Sequence, residues 1–188
     1  TIGPTVGKSM LAAAMKAMLI ALLIIVLYVA FAFRKVPKEI STWRFGVSAI
    51  VALLHDVIIV TGIFAILGVV LKVEIDALFI TAMLTVFGYS VNDTIVIFDK
   101  IRENLIRSSK NEKIEDLVDR SLNETMARSL NTSITTIVAL IAILIFGSSS
   151  IFYFVLALTI GIAIGTYSSI FVASPVLVWW TNWAHKNK

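Results

Sequence analysis

The chain has 188 residues, of which 59% are hydrophobic and only 15% charged, with a mean hydropathy of +0.95. No ordinary soluble domain covers its surface with so few polar residues, so the composition points to the membrane and away from a soluble enzyme. The net charge of +4 is the common result of Lys/Arg bias on the cytoplasmic side of a membrane protein and does not call for nucleic acid, while the absence of cysteine removes disulfides, thiolate chemistry and Cys-based metal sites.

In chain order, an entry punctuated by Gly and Pro (TIGPTVG) leads to five apolar runs, at about 9–33, 45–71, 75–98, 126–146 and 151–180. Each supplies the ~20 residues that cross ~30 Å of hydrocarbon at 1.5 Å per residue. The pattern predicts an all-α membrane protein, a bundle of five transmembrane helices in one domain over 1–188. The chain begins at Thr1, with no basic stretch or cleavage site before the first apolar run, and is expected to be a piece of a longer protein cut just before a span. Of the connections, 34–44 is basic, 72–76 is very short, 99–125 is long and charged, 147–150 is a small-residue turn, and the tail is basic. Within 99–125, Ile101, Leu105, Ile114, Leu117, Val118 and Leu122 recur at helical spacing. That spacing predicts an inward extension of the third span, a turn near 108–111, and an amphipathic helix leading into the fourth span, which lies along the membrane interface or is a solvated connector. Arg34, Lys35, Lys38, Arg44, the seven basic residues from Lys100 to Arg128, Lys186 and Lys188 collect on one side of the membrane. Lys8 and Lys72 lie on the other, and Lys16 is inside the first span. The positive-inside rule makes the first side cytoplasmic, with the C-terminus there; Trp43, Trp179, Trp180 and Trp183 suit a belt at that interface.

Polar groups inside the spans carry the functional argument. Asp93 lies in the third span, where a carboxylate costs ~2.5–3.5 kcal/mol at a helix centre on insertion scales. Tyr89 and Ser90, at i−4 and i−3, share its side of the helix, and Asn92 adjoins it. The pattern reads as an ion-pathway site, with a helix-joining hydrogen bond as the alternative. His55 and Asp56 sit mid-span in the second run, ~100° apart on the helix. They are either further stepping points for a proton or packing contacts. Arg128 opens the fourth span, ahead of Asn131, Thr132, Ser133, Thr135 and Thr136; it either pairs with Asp93 or snorkels to the interface. Gly161 and Gly165, followed by Ser168 and Ser169, form a small-xxx-small helix-packing pattern. No phosphate loop, dinucleotide fingerprint or zinc-protease motif is present in the sequence. Neither an enzymatic reaction nor a cofactor is therefore expected, and an ion gradient of H⁺ or Na⁺ is the energy source to consider.

Five stretches, IGPTVG (2–7), ALLHDVIIVTG (52–62), GYSVNDTIVIFDKIREN (88–104), LNETMARSLNTSITT (122–136) and GTYSSIFVASP (165–175), together resemble the membrane part of the SecF family of bacterial protein-export subunits. The resemblance runs over nearly the whole chain in the family's order. Its departures are Ser148, where Phe-Gly-Gly is usual at 146–148, and Ser129, where Thr is usual. The resemblance implies spans two to six of a six-span protein in the bacterial inner membrane, lacking the first span and an extracytoplasmic domain. It also implies half of a pseudo-symmetric membrane domain of the resistance-nodulation-division type, completed by SecD. The implied role is proton-driven assistance to secreted polypeptides leaving the Sec translocation channel. Asp93 and Arg128 match the family's proton-coupling residues, and His55 and Asp56 match a further characteristic motif. A small-solute or drug exporter of the same superfamily and a structural membrane scaffold are the alternatives.

Overall fold

A computed structural model describes residues 4–33, 41–108 and 112–186. The basic connection at 34–40, the turn expected at 109–111 and the last two residues lie outside the described residues. All regular structure among the described residues is helical. Helix α1 covers Pro4–Ala32, α2 Thr42–Leu71, α3 Ala77–Arg107 and α4 Ile114–Phe146. A 3₁₀ turn at Ser149–Ile151 leads into α5 (Phe152–Ser168), a π-helical turn at Ser169–Ala173, and α6 (Ser174–Lys186).

Local chemistry sets these boundaries. Proline at the first position of α1 loses no intrahelical bond, since that N–H has no partner in any helix. Helix α2 ends where Lys72 turns left-handed, at φ 58°. The Asp76 side chain then caps α3 by accepting from the Phe79 N–H at 3.0 Å, which satisfies one of the orphan donors of a helix start. Phe64 and Phe79 pack across this hairpin with ring centroids 4.7 Å apart. The π turn precedes Pro175, which has no N–H to donate and whose ring crowds the carbonyl four residues back, so the helix widens there. Ser174 supplies a substitute donor, bonding the Ser169 carbonyl at 3.2 Å.

Among the described residues, four helical rods are long and apolar enough to cross a membrane: Thr42–Leu71, Ala77–Arg107, Ile114–Phe146 and Ser149–Ala184. The chain is thus a membrane protein. The first expected span coincides with α1, whose apolar stretch Lys16–Val29 is shorter than the others among the described residues. Large apolar side chains line the outside, among them Val69, Ile58 and Phe146, as a hydrocarbon solvent allows.

At 31 and 33 residues, α3 and α4 exceed the length a bilayer core needs, so both project beyond it. The linker expected at 99–125 is shared between the last turns of α3, the expected inward extension of the third span, and the first turns of α4, which run on into the fourth. Leu117 and Val118 are buried against Ile101, which explains the helical spacing of the apolar residues. Asn104 Nδ2 donates to Ser121 Oγ at 2.9 Å and to Glu124 at 3.1 Å, and Lys100 bridges Glu103 and Glu124 at 3.1 Å each. The Asn104 amide and then Lys100 hold the Glu124 carboxyl below its ordinary range.

Helix α3 packs against α1, α2, α4, α5 and the π turn. Its closest approach is to α5. A Cβ at Gly161 would run into Val86, and one at Gly165 would come within 2.9 Å of Ser90 Cβ. The four-residue spacing on both helices lets the ridge of one fill the groove of the other. At the charged end, Phe33, Phe45 and Phe98 form a ring cluster with centroids 5.1–6.2 Å apart. There Trp43 meets Trp180 edge to face at 5.3 Å, and Asn182 Nδ2 donates to Glu115 at 2.5 Å.

Candidate functional site

The inner face of α4 carries Ser121, Thr125, Ser129 and Ser133, one every four residues and all buried. That period is the i, i+4 row of a helix, and it places a line of hydroxyls against α3. Ser129 Oγ donates to Asp93 Oδ1. One turn along, Tyr89 Oη donates to Ser133 Oγ at 3.2 Å, and Ser133 Oγ is hydrogen-bonded to Thr166 Oγ1 of α5 at 2.5 Å, with either hydroxyl able to donate. Asp93 is only 7% exposed, and among the described residues no hydrogen-bond partner meets its Oδ2, which is shut off from solvent.

Asp56 of α2 is fully buried. Its Oδ2 accepts from Ser90 Oγ of α3 at 2.5 Å and from Ser168 Oγ of α5 at 2.9 Å. Its Oδ1 lies 3.1 Å from His55 Nδ1. Although the two side chains leave the helix ~100° apart, the half-buried imidazole folds back onto its neighbour and lies 6.3 Å from the Tyr167 ring. Ser90 therefore serves Asp56 rather than the Asp93 patch to which its i−3 position assigns it. Between the carboxylates, Thr94 Oγ1 donates to the Ser90 carbonyl at 3.0 Å or to Ser169 Oγ at 2.8 Å. A polar seam thus runs through the bundle from Asp56 to Asp93, walled by α2, α3, α4 and α5.

Arg128 is not part of this seam. It is exposed, and no ion pair or hydrogen bond joins its side chain to Asp93 among the described residues. Ser129 owns the inward direction, and a side chain one residue earlier is rotated ~100° away. Arg128 instead belongs to an exposed polar strip with Asn131, Thr132 and Thr135, and α3 leaves a second strip of Thr81, Thr85, Gly88 and Asn92. Ser129 and Ser168 were the residues hardest to see in the sequence. The four-residue period of hydroxyls on α4 was the available signal for Ser129, whereas for Ser168 the packing pattern alone was visible. Among the described residues no cluster of His, Asp and Glu has the makings of a metal site.

Membrane-length helices wrapped around a central helix, with two buried carboxylates in a frame of hydroxyls, define a polytopic membrane domain built around an internal polar seam. The family described as protein export membrane protein SecD/SecF, C-terminal, matches residues 1–183, and the chain belongs to it. It is 54% identical over 182 residues to the protein translocase subunit SecF of Thermobaculum terrenum, covering 97% of this chain and 56% of that one. It is 46% identical to SecF of Synechocystis, with 97% and 55% covered. Identity to the protein translocase subunit SecDF of Thermus thermophilus is 42%, over 97% of this chain and 23% of that one. A crystal structure of SecDF in its super-membrane-facing form superposes with a TM-score of 0.82 at 41% identity, covering 100% of this chain and 23% of that chain. The chain spans about half the length of the SecF relatives it matches.

Proposed function

We propose that this chain is the ion-coupling membrane part of a protein-export subunit, which works with a SecD-type half to draw secreted polypeptides through the Sec channel at the expense of a proton gradient. Membership of the SecD/SecF family supports the export role, and relatives that carry the name SecDF support the SecD-type partner. The observation that carries the coupling role is Asp93: a carboxyl within a membrane-spanning helix, one oxygen held by Ser129 and the other unpartnered. Ionisable groups kept at membrane depth mark ion pathways. His55 and Asp56 form the second station on the same seam.

In this reading the charge state of Asp93 acts on α4 through Ser129. Protonation removes the charge that strengthens that bond, which changes the hold of α3 on α4. Arg128 and the exposed polar strips of α3 and α4 face the SecD-type half, where a polar surface in a bilayer finds its cover. The basic ends face the cytoplasm and the C-terminus lies there, in the bacterial inner membrane. No catalytic step and no cofactor enter this scheme.

The test is proton flux in proteoliposomes holding the full-length protein and its SecD-type partner. Asp93→Asn, which keeps size and polarity, is expected to abolish flux and gradient-dependent export while leaving the complex assembled. Wild-type flux in that variant would leave the seam a structural scaffold. Flux that follows Na⁺ instead of H⁺ would reassign the ion. Small-solute export without any contact to a secreting chain would favour the exporter reading.

A further inference from the structure

Asp56 has a partner set with a property that Asp93 lacks. A serine hydroxyl carries a single proton, yet Ser168 Oγ lies within bonding distance of two acceptors, Asp56 Oδ2 at 2.9 Å and the Gly165 carbonyl at 3.1 Å. It can serve only one at a time as donor. When Asp56 is ionised, Ser90 and Ser168 both donate to Oδ2. When Oδ2 carries a proton, that new O–H can donate to Ser168 Oγ, and Ser168 can turn its own proton to Gly165. The Oδ2 lone pair still accepts from Ser90. With His55 in its Nδ1–H tautomer, Oδ1 has a donor in both cases. Every bond length stays as it is, and no buried polar group is stranded in either state, which is where the cost of burying such groups otherwise arises. No such frame surrounds Asp93 among the described residues, where its Oδ2 has no hydrogen-bond partner.

We propose that Asp56 is a second proton-carrying carboxyl, and that Ser168 is the positioning residue that lets it take up and release the proton by reversing the direction of one hydrogen bond. This inference rests on the reading of Asp93 as the coupling group. One O–H bond forms at Asp56 Oδ2 when the proton arrives along the seam and breaks when it leaves; Ser168 only rotates its hydroxyl and neither gains nor loses a proton. Ser90, which has no second acceptor among the described residues, cannot reverse in this way. The titratable groups around Asp56 are His55 beside it on α2, Tyr89 and Asp93 on α3 and Tyr167 on α5. No charged side chain of α1 or α6 is bonded to it among the described residues. The close approach of Gly165 to Ser90 holds the α3 and α5 donors in register, which gives the glycine pair a role at the site as well as in packing.

The test is pH-difference infrared spectroscopy of the full-length protein with its SecD-type partner in proteoliposomes, reading the C=O stretch of protonated carboxyls. Asp56→Asn should delete one band, and Asp93→Asn another. Ser168→Ala should move the Asp56 band to higher wavenumber, since its O–H then lacks an acceptor, and leave the Asp93 band in place. Ser168→Thr, which keeps the hydroxyl, should return the band to its place, and Ser174→Ala, which removes the bond from the start of α6 to the Ser169 carbonyl, should move neither. Bands that all survive Asp56→Asn, or an Asp56 band unmoved by Ser168→Ala, would overturn the proposal. The coupling reading fails separately, on wild-type proton flux in Asp93→Asn, whatever the Asp56 band does.

Discussion

Two neighbouring residues on α4, Arg128 and Ser129, show how much turns on direction at a helix surface. Arginine is the conspicuous residue in the sequence and the natural partner for a buried aspartate, yet the serine beside it makes the bond. Loss of a hydrogen bond to a buried charged group costs about 1.5–3 kcal/mol. Ser129→Ala is therefore expected to lower the stability of the detergent-solubilised protein by about that much in a chemical unfolding series, with Ser129→Thr close to wild type. Arg128→Gln, at an exposed position, should fall within about 0.5 kcal/mol of wild type. The reverse ranking would return the pairing to arginine. Asp93, Asp56 and His55 were legible as residues of interest because charge in an apolar run is rare at any register. Their partners were not, because a list of residues states chemistry but not facing: Ser90 lies one turn from Asp93 on the same helix and still bonds Asp56 on another.

Helix positions were legible for a simple reason. Apolar runs must be about as long as the bilayer is thick, and the interruptions at 72–76 and 147–150 are turns that a bundle needs. The charged stretch after the third span stays helical because polarity outside the bilayer is no obstacle to a helix, and Asn104, Ser121 and Glu124 tie its two halves together. The π turn was hidden because its cause, Pro175, acts on the turn before it. The glycine pair was readable from spacing alone, and it makes a firm forecast. Gly161→Ala forces a methyl into Val86, and overpacking of this kind costs about 1–3 kcal/mol. Gly62→Ala enters open space and should match or exceed wild-type stability, since alanine is the better helix former. Parallel thermal unfolding of the two variants checks the pair, and equal loss in both would show that α3 and α5 are not in close contact.

At the scale of the molecule, the outer surface is not uniform. Most of it is apolar, but α3 and α4 leave Asn92, Thr85, Arg128 and Asn131 uncovered. A lipid-facing strip of this kind is costly, so a cysteine replacing Asn92 in the full-length protein should cross-link to the SecD-type half in membranes, whereas one replacing lipid-facing Ile58 should not. Equal cross-linking from both positions would mean that the polar strip is not the interface. Its place on α3 bears on how the protein is made. Of the four rods long enough to span, α3 is the least apolar, because it carries Ser90, Asn92, Asp93 and Thr94 within five residues. It also touches each of the other rods. A segment in contact with every other rod is thus the one least able to leave the insertion machinery for lipid by itself. Its entry is best served by the short hairpin that delivers it together with α2, whose Asp56 already offers a bond to Ser90. Biogenesis of such a chain is a matter of helices arriving as a pair, with the polar seam closing as α5 follows.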